Sequence, residues 1–296
     1  MIEPFDETNN PPFMVEAPAE QRVPFVFNSP HSGRHYPASL LKNARLDTVQ
    51  IRRSEDVMVD RLFSAMPRLG APLLKACFPR AWLDVNREPY ELDPRLFSER
   101  LPAHANTHSM RVLGGLGTIP RLVAENMPIY DQSPSLDEGL ARVERIYRPY
   151  HENLRSLLSK TLMQFGYGVL VDCHSMPSQG GRSERHNRPD IIIGDRYGTS
   201  CHGDISRALL DQFTALGYSV ARNKPYAGGF ITEHYGRPLK GLHAVQIEIN
   251  RALYMREDTL TLREGFNALQ QDIETVMSHV MSLPDGQFSP IAQAAE

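Results

Sequence analysis

Short apolar runs, each too brief for a helix, punctuate this chain, and segments with helical spacing separate them. Val23 to Phe27 lead into Asn28-Ser29-Pro30-His31. Val169-Leu170-Val171 lead into Asp172-Cys173-His174, with Pro177 against any simple continuation. Both read as buried strands closed by a histidine and small, turn-forming residues. "APLLKA", "RAWLDVN", "PDIIIGD" and "GYSVARN" predict further short strands, and "HAVQIEIN" alternates along a last one. Gln246, Glu248 and Asn250 share one face of that strand, and Val245, Ile247 and Ile249 share the other.

Helical spacing runs through "SEDVMVDRLFSAMPRLG", with Val57, Val59, Leu62, Phe63 and Met66 on its apolar side, Ser54 as a cap and Gly70 as a stop. The longest helical stretch, "SPSLDEGLARVERIYRPYHENLRSLLSKTLMQFG", opens with Ser135 and Glu138 at capping-box spacing. Pro149 predicts a kink or a split within it. Residues 203–216 and 258–283 predict two more helices. Residues 88–133, rich in Pro, Gly and Asn, predict a long loop or a small hairpin layer, and "PYAGGFITEHYG" predicts a glycine-bearing loop. Strands alternate with helices, without an internal repeat. This favours an α/β layered domain with a mixed, largely parallel sheet. Ligands of such sheets bind outside the carboxyl ends of the strands, where His31 and His174 are both expected. No linker stands out, so the expected organisation is an irregular arm over 1–22, a single domain over 23–283 and a loose tail over 284–296.

Composition narrows the function. The chain has 296 residues, 41% hydrophobic and 23% charged, with a formal net charge of -3. That balance lacks the basic excess that phosphate-backbone binding requires, so no nucleic-acid partner is expected. Three cysteines (Cys77, Cys173 and Cys201) form no C-x-x-C pair, which fits a reducing cytosol. The start, "MIEPFDETNNPPFMVEAP", has neither the basic residues nor the apolar run of a signal peptide. No membrane partner is expected, a cytoplasmic location is, and a homo-oligomer is left open.

The two strand-end histidines are the sharpest chemical signal. Imidazole suits zinc, and a carboxylate can complete a three-ligand catalytic site. Asp56 and Asp60 are one helical turn apart and share a face, with Glu55 pointing elsewhere; an acid at a helix start also serves simply to offset the macrodipole. Asp172, two residues before His174, lies on the same side of a strand and can orient the imidazole or cap the turn. In "LDVNREP", Asp84, Asn86 and Arg87 combine an amide with a planar guanidinium, which suits a carboxylate or a structural ion pair. Arg34, Arg80, Arg182 and Arg185 fall in or near the same loops, an excess of cations that hints at an anionic small molecule. Glu248, among apolar neighbours, suits a general acid/base or a solvent-facing edge position. Cys173 beside His174 is a poor thiol nucleophile, because adjacent strand residues face opposite ways.

The segments "NSPHSGRHYP", "SEDVMVDRLF", "FPRAWLDVNR", "PIYD", "DCHSMPS" and "PYAGGFITEHYGRPLKGLHAVQIEINRALYM" together resemble the N-formylglutamate amidohydrolase family, from about Phe25 to Met255. The resemblance implies a three-layer α/β/α fold similar to zinc carboxypeptidases. It also implies hydrolysis of N-formyl-L-glutamate to formate and L-glutamate, at the end of histidine degradation. By position it makes His31, Asp56 and His174 the ligands of one divalent metal ion, Zn2+, with Asp56 preferred over Glu55 and Asp60. Glu248 becomes the general base and Asn86 with Arg87 the carboxylate clamp; in the mechanism expected from this, Arg80 or Arg34 is the cation beside the oxyanion. Arg34, Gly229 and Thr232 are expected against the substrate, an anionic N-acyl amino acid. One departure stands out: carboxypeptidases carry an acid three residues after the first histidine, where this chain has Arg34. A zinc deacylase or carboxypeptidase acting on another N-acyl amino acid or small peptide is the alternative. A metal- or ligand-binding protein without catalysis is a third reading.

Overall fold

The computed structural model describes residues 3–5, 11–178, 188–284 and 288. Arg182 and Arg185 lie outside the described residues. A seven-stranded sheet is built from β1 (Phe13–Glu16), β2 (Phe25–Ser29), β3 (Leu73–Ala76), β4 (Gly168–Met176), β5 (Ile191–Gly194), β6 (Val220–Arg222) and β7 (Leu242–Asn250). Its order is β6-β5-β7-β4-β2-β3-β1. β2, β4 and β7 run parallel, as do β5 and β6, while β5 is antiparallel to β7. The sheet is therefore mixed and largely parallel, as the alternation of elements predicts.

The chain forms two compact units. One comprises Val15–Ser29, Met58–Leu74 and Arg155–Glu296. It holds β2 and β4–β7 with α3 (Gly203–Ala215), α4 (Phe230–Tyr235) and α5 (Gly265–Val280), which follow α1 (Leu136–Arg142) and α2 (Arg148–Phe165) along the chain. All nine residues of β4 are buried, which explains the near-continuous apolar reading of "GVLV": a parallel strand covered on both faces has no polar side to alternate. Ile191, Ile192 and Ile193 of β5 and Val245, Ile247 and Ile249 of β7 are likewise fully buried. On α5 the apolar residues Leu269, Ile273, Val276, Met277 and Val280 recur at helical spacing and turn inward.

The other unit comprises Met1–Met14, Pro30–Val57 and Lys75–Leu154. Its core is aromatic: Phe78 meets Trp82 at 6.2 Å and Tyr150 at 6.3 Å between centroids, and Phe13 meets Tyr150 edge-on at 5.5 Å. Its helix α1 (Leu136–Arg142) is capped by Ser135, whose Oγ accepts from the Glu138 N–H at 3.2 Å. A π-turn over Val143–Tyr147 then leads into α2 (Arg148–Phe165), which carries Pro149. Proline has no N–H to give the preceding turn, and the wider turn absorbs the missing bond.

Several expectations are corrected. β4 continues through Asp172, Cys173 and His174 to Met176, because β7 pairs with it along its full length; His174 is inside a strand. "RAWLDVN" is a turn, with the Trp82 and Leu83 N–H groups both donating to Pro79 O. The helix expected over 54–70 is broken into short turns at Ile51–Ser54, Val59–Leu62 and Met66–Leu69. Met58 sits in the left-handed region (φ 61°) and Pro67 interrupts the bonding, so Asp56 and Asp60 share no helix face. Ser54 caps nothing; its buried hydroxyl has no partner. "PYAGGFITEHYG" contains α4, started at Gly229. α5 begins at Gly265, after a hairpin pairing Met255–Arg256 with Thr261–Leu262. The expected irregular arm contains β1 and a strand, Glu3–Phe5, parallel to His35–Pro37. In the expected tail, Phe288 is buried and its carbonyl accepts from His243 Nε2 at 2.9 Å. Among the described residues no helix is long and apolar enough to cross a membrane.

Asp195, just past β5, is fully buried and gathers Ser206 Oγ (2.7 Å), Asn223 Nδ2 (2.7 Å), the Gly198 N–H (3.0 Å) and the Arg222 guanidinium. Burial opposes its ionisation, but these bonds outweigh burial and hold its carboxyl below the usual range. A depressed folded pKa stabilises above the unfolded value of ~3.9 and ceases to do so as pH falls through the folded pKa. Asp195→Asn is therefore expected to cost about 2 kcal/mol at pH 7, with the gap to wild type closing below pH ~4. Thermal denaturation of both proteins across pH checks this, and a gap that stays constant with pH would refute it.

Candidate active site

β2, β4 and β7 place two rows of polar side chains on one buried face. Asn28, Asp172 and Gln246 are register partners, and so are His174 and Glu248 one step of the pleat further on. All five are buried, and buried polar groups must satisfy one another. Asn28 Nδ2 donates to Asp172 Oδ1 at 2.7 Å, and His174 Nε2 to Asp172 Oδ2 at 2.9 Å. Gln246 Nε2 donates to Glu248 Oε1 at 2.8 Å, and the Gly229 N–H to Gln246 Oε1 at 2.7 Å. An ionised carboxylate only accepts, so Asp172 sets the hydrogen of His174 on Nε2 and gives Nδ1 a lone pair. Glu248 lies on a central strand, not on a solvent-facing edge. Burial, reinforced by Asp172, pushes the Cys173 thiol well up, which removes it as a nucleophile.

A second set of side chains surrounds His31, in the turn after β2. His31 Nε2 donates to Asp84 Oδ1 at 2.8 Å, and its Nδ1 lies 3.5 Å from Asp56 Oδ2. The Asp56 N–H donates to His31 O at 2.9 Å, which fixes the two residues to one another through the backbone. Asp84 is the hub. It accepts from the Asn86 N–H (2.9 Å) and Arg80 Nε (3.0 Å), and Arg87 Nη2 is 3.3 Å away. Burial alone would raise the Asp84 pKa; Arg87, Arg80 and His31 outweigh it and hold the carboxyl well below the usual range. Burial pushes Arg87 down to about 10, with Asp84 pulling the other way. Arg87 also donates to Leu116 O (2.8 Å) and Asn86 O (2.6 Å).

Among the described residues, one group can hold a metal ion: His31, Asp56 and His174 each offer a ligand atom, all within 4.8 Å of one another and all on buried residues. The donor set fits a catalytic divalent ion of the zinc type, two imidazoles and one carboxylate. Each imidazole also has its Nε2 on a carboxylate, the partner that metal-binding histidines ordinarily use.

The other residues singled out in the sequence are distributed as follows. Glu55 is gripped by Arg52 through Nε and Nη2, both at 2.8 Å, and accepts from Tyr36 OH at 3.1 Å. Asp60 is buried in the Val59–Leu62 turn and falls outside the metal-competent group. Arg80, Asn86 and Arg87 gather on Asp84, and Arg34 is half-buried in the turn after His31. The N–H of Gly229 is taken by Gln246, and Thr232 is fully buried in α4 with an unpartnered hydroxyl. Asp84 as the carboxylate behind His31 was not legible, since 53 residues separate the pair and no local spacing betrays it. Asp172 was legible because a two-residue step along a strand returns to the same face.

The family model for N-formylglutamate amidohydrolase matches residues 23–255. An N-formylglutamate deformylase of Pseudomonas putida is 31% identical over 264 residues, covering 88% of this chain and 91% of that protein. Another, from Pseudomonas aeruginosa, is 30% identical over 243 residues, 80% of this chain and 84% of that protein. The crystal structure of an N-formylglutamate amidohydrolase from Ralstonia eutropha is similar with a TM-score of 0.86 at 34% identity, over 91% of this chain and 97% of that one. A gene product of Agrobacterium tumefaciens shares the fold (TM-score 0.65, 20% identity, 94% of this chain and 98% of that one).

The turn carrying His31 depends on a close backbone approach at Gly33. A Cβ built there would lie 2.0 Å from Phe78 O and 2.5 Å from Cys77 C, both main-chain atoms that cannot swing away. Gly33→Ala is expected to destabilise by about 2 kcal/mol or more. Thermal denaturation measures it, and an unchanged melting temperature would contradict this packing.

Proposed function

The chain belongs to the N-formylglutamate amidohydrolase family and is a hydrolase of linear amide bonds; on that premise we propose that it cleaves N-formyl-L-glutamate to formate and L-glutamate with one divalent metal ion, Zn2+, held by His31, Asp56 and His174. The observation that carries the metal reading is the pair of imidazoles, each tied through Nε2 to a buried carboxylate, in a group of ligand atoms within 4.8 Å. Bound there, the ion supplies Lewis acidity, acidifying water at neutral pH and polarising the formyl carbonyl.

The protein's own residues do the rest. Glu248, register partner of His174, takes a proton from the attacking water and returns it to the departing nitrogen. Asp84 and Asp172 hold the two imidazoles in one tautomer, so neither rotates away. Arg80, joined to His31 through Asp84, puts positive charge beside the oxygen on which negative charge develops. Arg87, with Asn86, grips a substrate carboxylate using the part of the guanidinium not engaged by Leu116, Asn86 and Asp84. The grip orients the amide against the base. Arg34, Gly229 and Thr232 remain the residues expected on the substrate side. A cytoplasmic location is supported by three buried cysteines, all of them free thiols.

Elemental analysis of purified protein should find one equivalent of zinc in wild type and in Glu248→Gln, and far less in His174→Ala. Formate release from N-formyl-L-glutamate should fall by about 10^2–10^4-fold in Glu248→Gln and should stop on chelation. Metal-free protein with full activity would refute the metal, and undiminished turnover in Glu248→Gln would refute the base. Faster release of acetate or succinate from the corresponding acyl glutamates would reassign the substrate.

A further inference from the structure

Gln246 is buried beside Glu248 and has both ends of its amide engaged. The Gly229 N–H can only donate, so the atom it meets is the amide oxygen, and the amide NH2 must face Glu248. That NH2 in turn only donates, so Glu248 Oε1 is the acceptor of this bond. The geometry points to Gln246 as a positioning residue for hydrolysis: its amide holds the Glu248 carboxylate through Oε1. This rests on Glu248 being the general base.

The surroundings are built for this contact. The register partner of Gln246 on β5 is Gly194. A Cβ there would lie 2.8 Å from Ala227 C and 2.9 Å from Gly228 N, so only glycine lets the 227–229 turn descend onto the sheet. The Arg196 N–H pins the turn by donating to Ala227 O at 2.8 Å. Gly228 adopts φ 118°, which presents the Gly229 N–H to Gln246 just before α4 begins. A missing side chain on one strand thus brings a backbone donor to the neighbouring strand. That donor orients an amide, and the amide orients the base.

In the reaction, one O–H bond of water breaks and its proton passes to the Glu248 carboxylate as the new C–O bond forms at the formyl carbon. The C–N bond then breaks as the same proton moves from Glu248 to nitrogen. The remaining acid proton of formic acid passes to the free amine through solvent, giving formate and L-glutamate with its α-amino group protonated.

The test uses the full-length, metal-loaded protein with N-formyl-L-glutamate. Gln246→Met, similar in length but with no amide, should lower kcat by about 10–100-fold with KM within about twofold and with metal content unchanged. Gly194→Ala, which displaces the donor while keeping Gln246, should lower kcat in the same way and guards against misfolding of the first variant. Adding Gln246→Met to Glu248→Gln should cost nothing further. A kcat within twofold of wild type in both variants overturns the inference, as does a loss shared by kcat, KM and metal content, the sign of a structural role. If Gln246→Met is impaired and the loss persists undiminished on top of Glu248→Gln, Gln246 does not act through Glu248. If Glu248→Gln alone retains turnover, the general-base reading fails, and this inference with it.

Discussion

The register between β4 and β7 is the constraint on which the rest depends. The two strands pair residue for residue over nine positions, which sets His174 opposite Glu248 and Asp172 opposite Gln246. A slip of one residue would turn the two polar side chains of one strand or the other to the opposite face. The apolar partners Val171, Cys173, Val245 and Ile247 resist that slip, because their burial is lost when the polar row is misplaced. Hydrophobic packing on one side of the sheet therefore aligns the chemistry on the other. Asn28 extends the same logic to β2, tying its amide to Asp172.

Around His31 the problem is electrostatic. Asp84 is buried, and an isolated carboxylate there would be neutral. Two guanidiniums and an imidazole keep it ionised instead. Its charge then fixes the His31 tautomer and holds Arg80 and Arg87 in place. Arg52 and Glu55 form a separate buried fork that takes up the acid next to Asp56. Two neighbouring acids thereby acquire different roles: Glu55 is neutralised locally, and Asp56 faces His31.

Much of the architecture was legible along the chain. The short apolar runs became β2, β3, β4, β5 and β7, Ser135 capped its helix, and a π-turn precedes Pro149. Failures cluster where local pattern and backbone geometry conflict. "RAWLDVN" has strand composition, but a turn is needed to bring Asp84, Asn86 and Arg87 together. "SEDVMVDRLF" has helical spacing, but the left-handed Met58 breaks it so that Asp56 can return to His31.

The sequence by itself determined most of the central strands and the long helices, and offered His31, Asp56, Asp172, His174 and Glu248 as side chains with the chemistry of a metal site. Periodicity and side-chain type are local properties, and neighbouring residues express them without help. Only the tertiary structure decided that Asp84 stands behind His31, that Gln246 orients Glu248, and that Gly194 admits the turn that orients Gln246. Those pairings join residues far apart along the chain, and distance in sequence carries no information about which buried donor will find which acceptor.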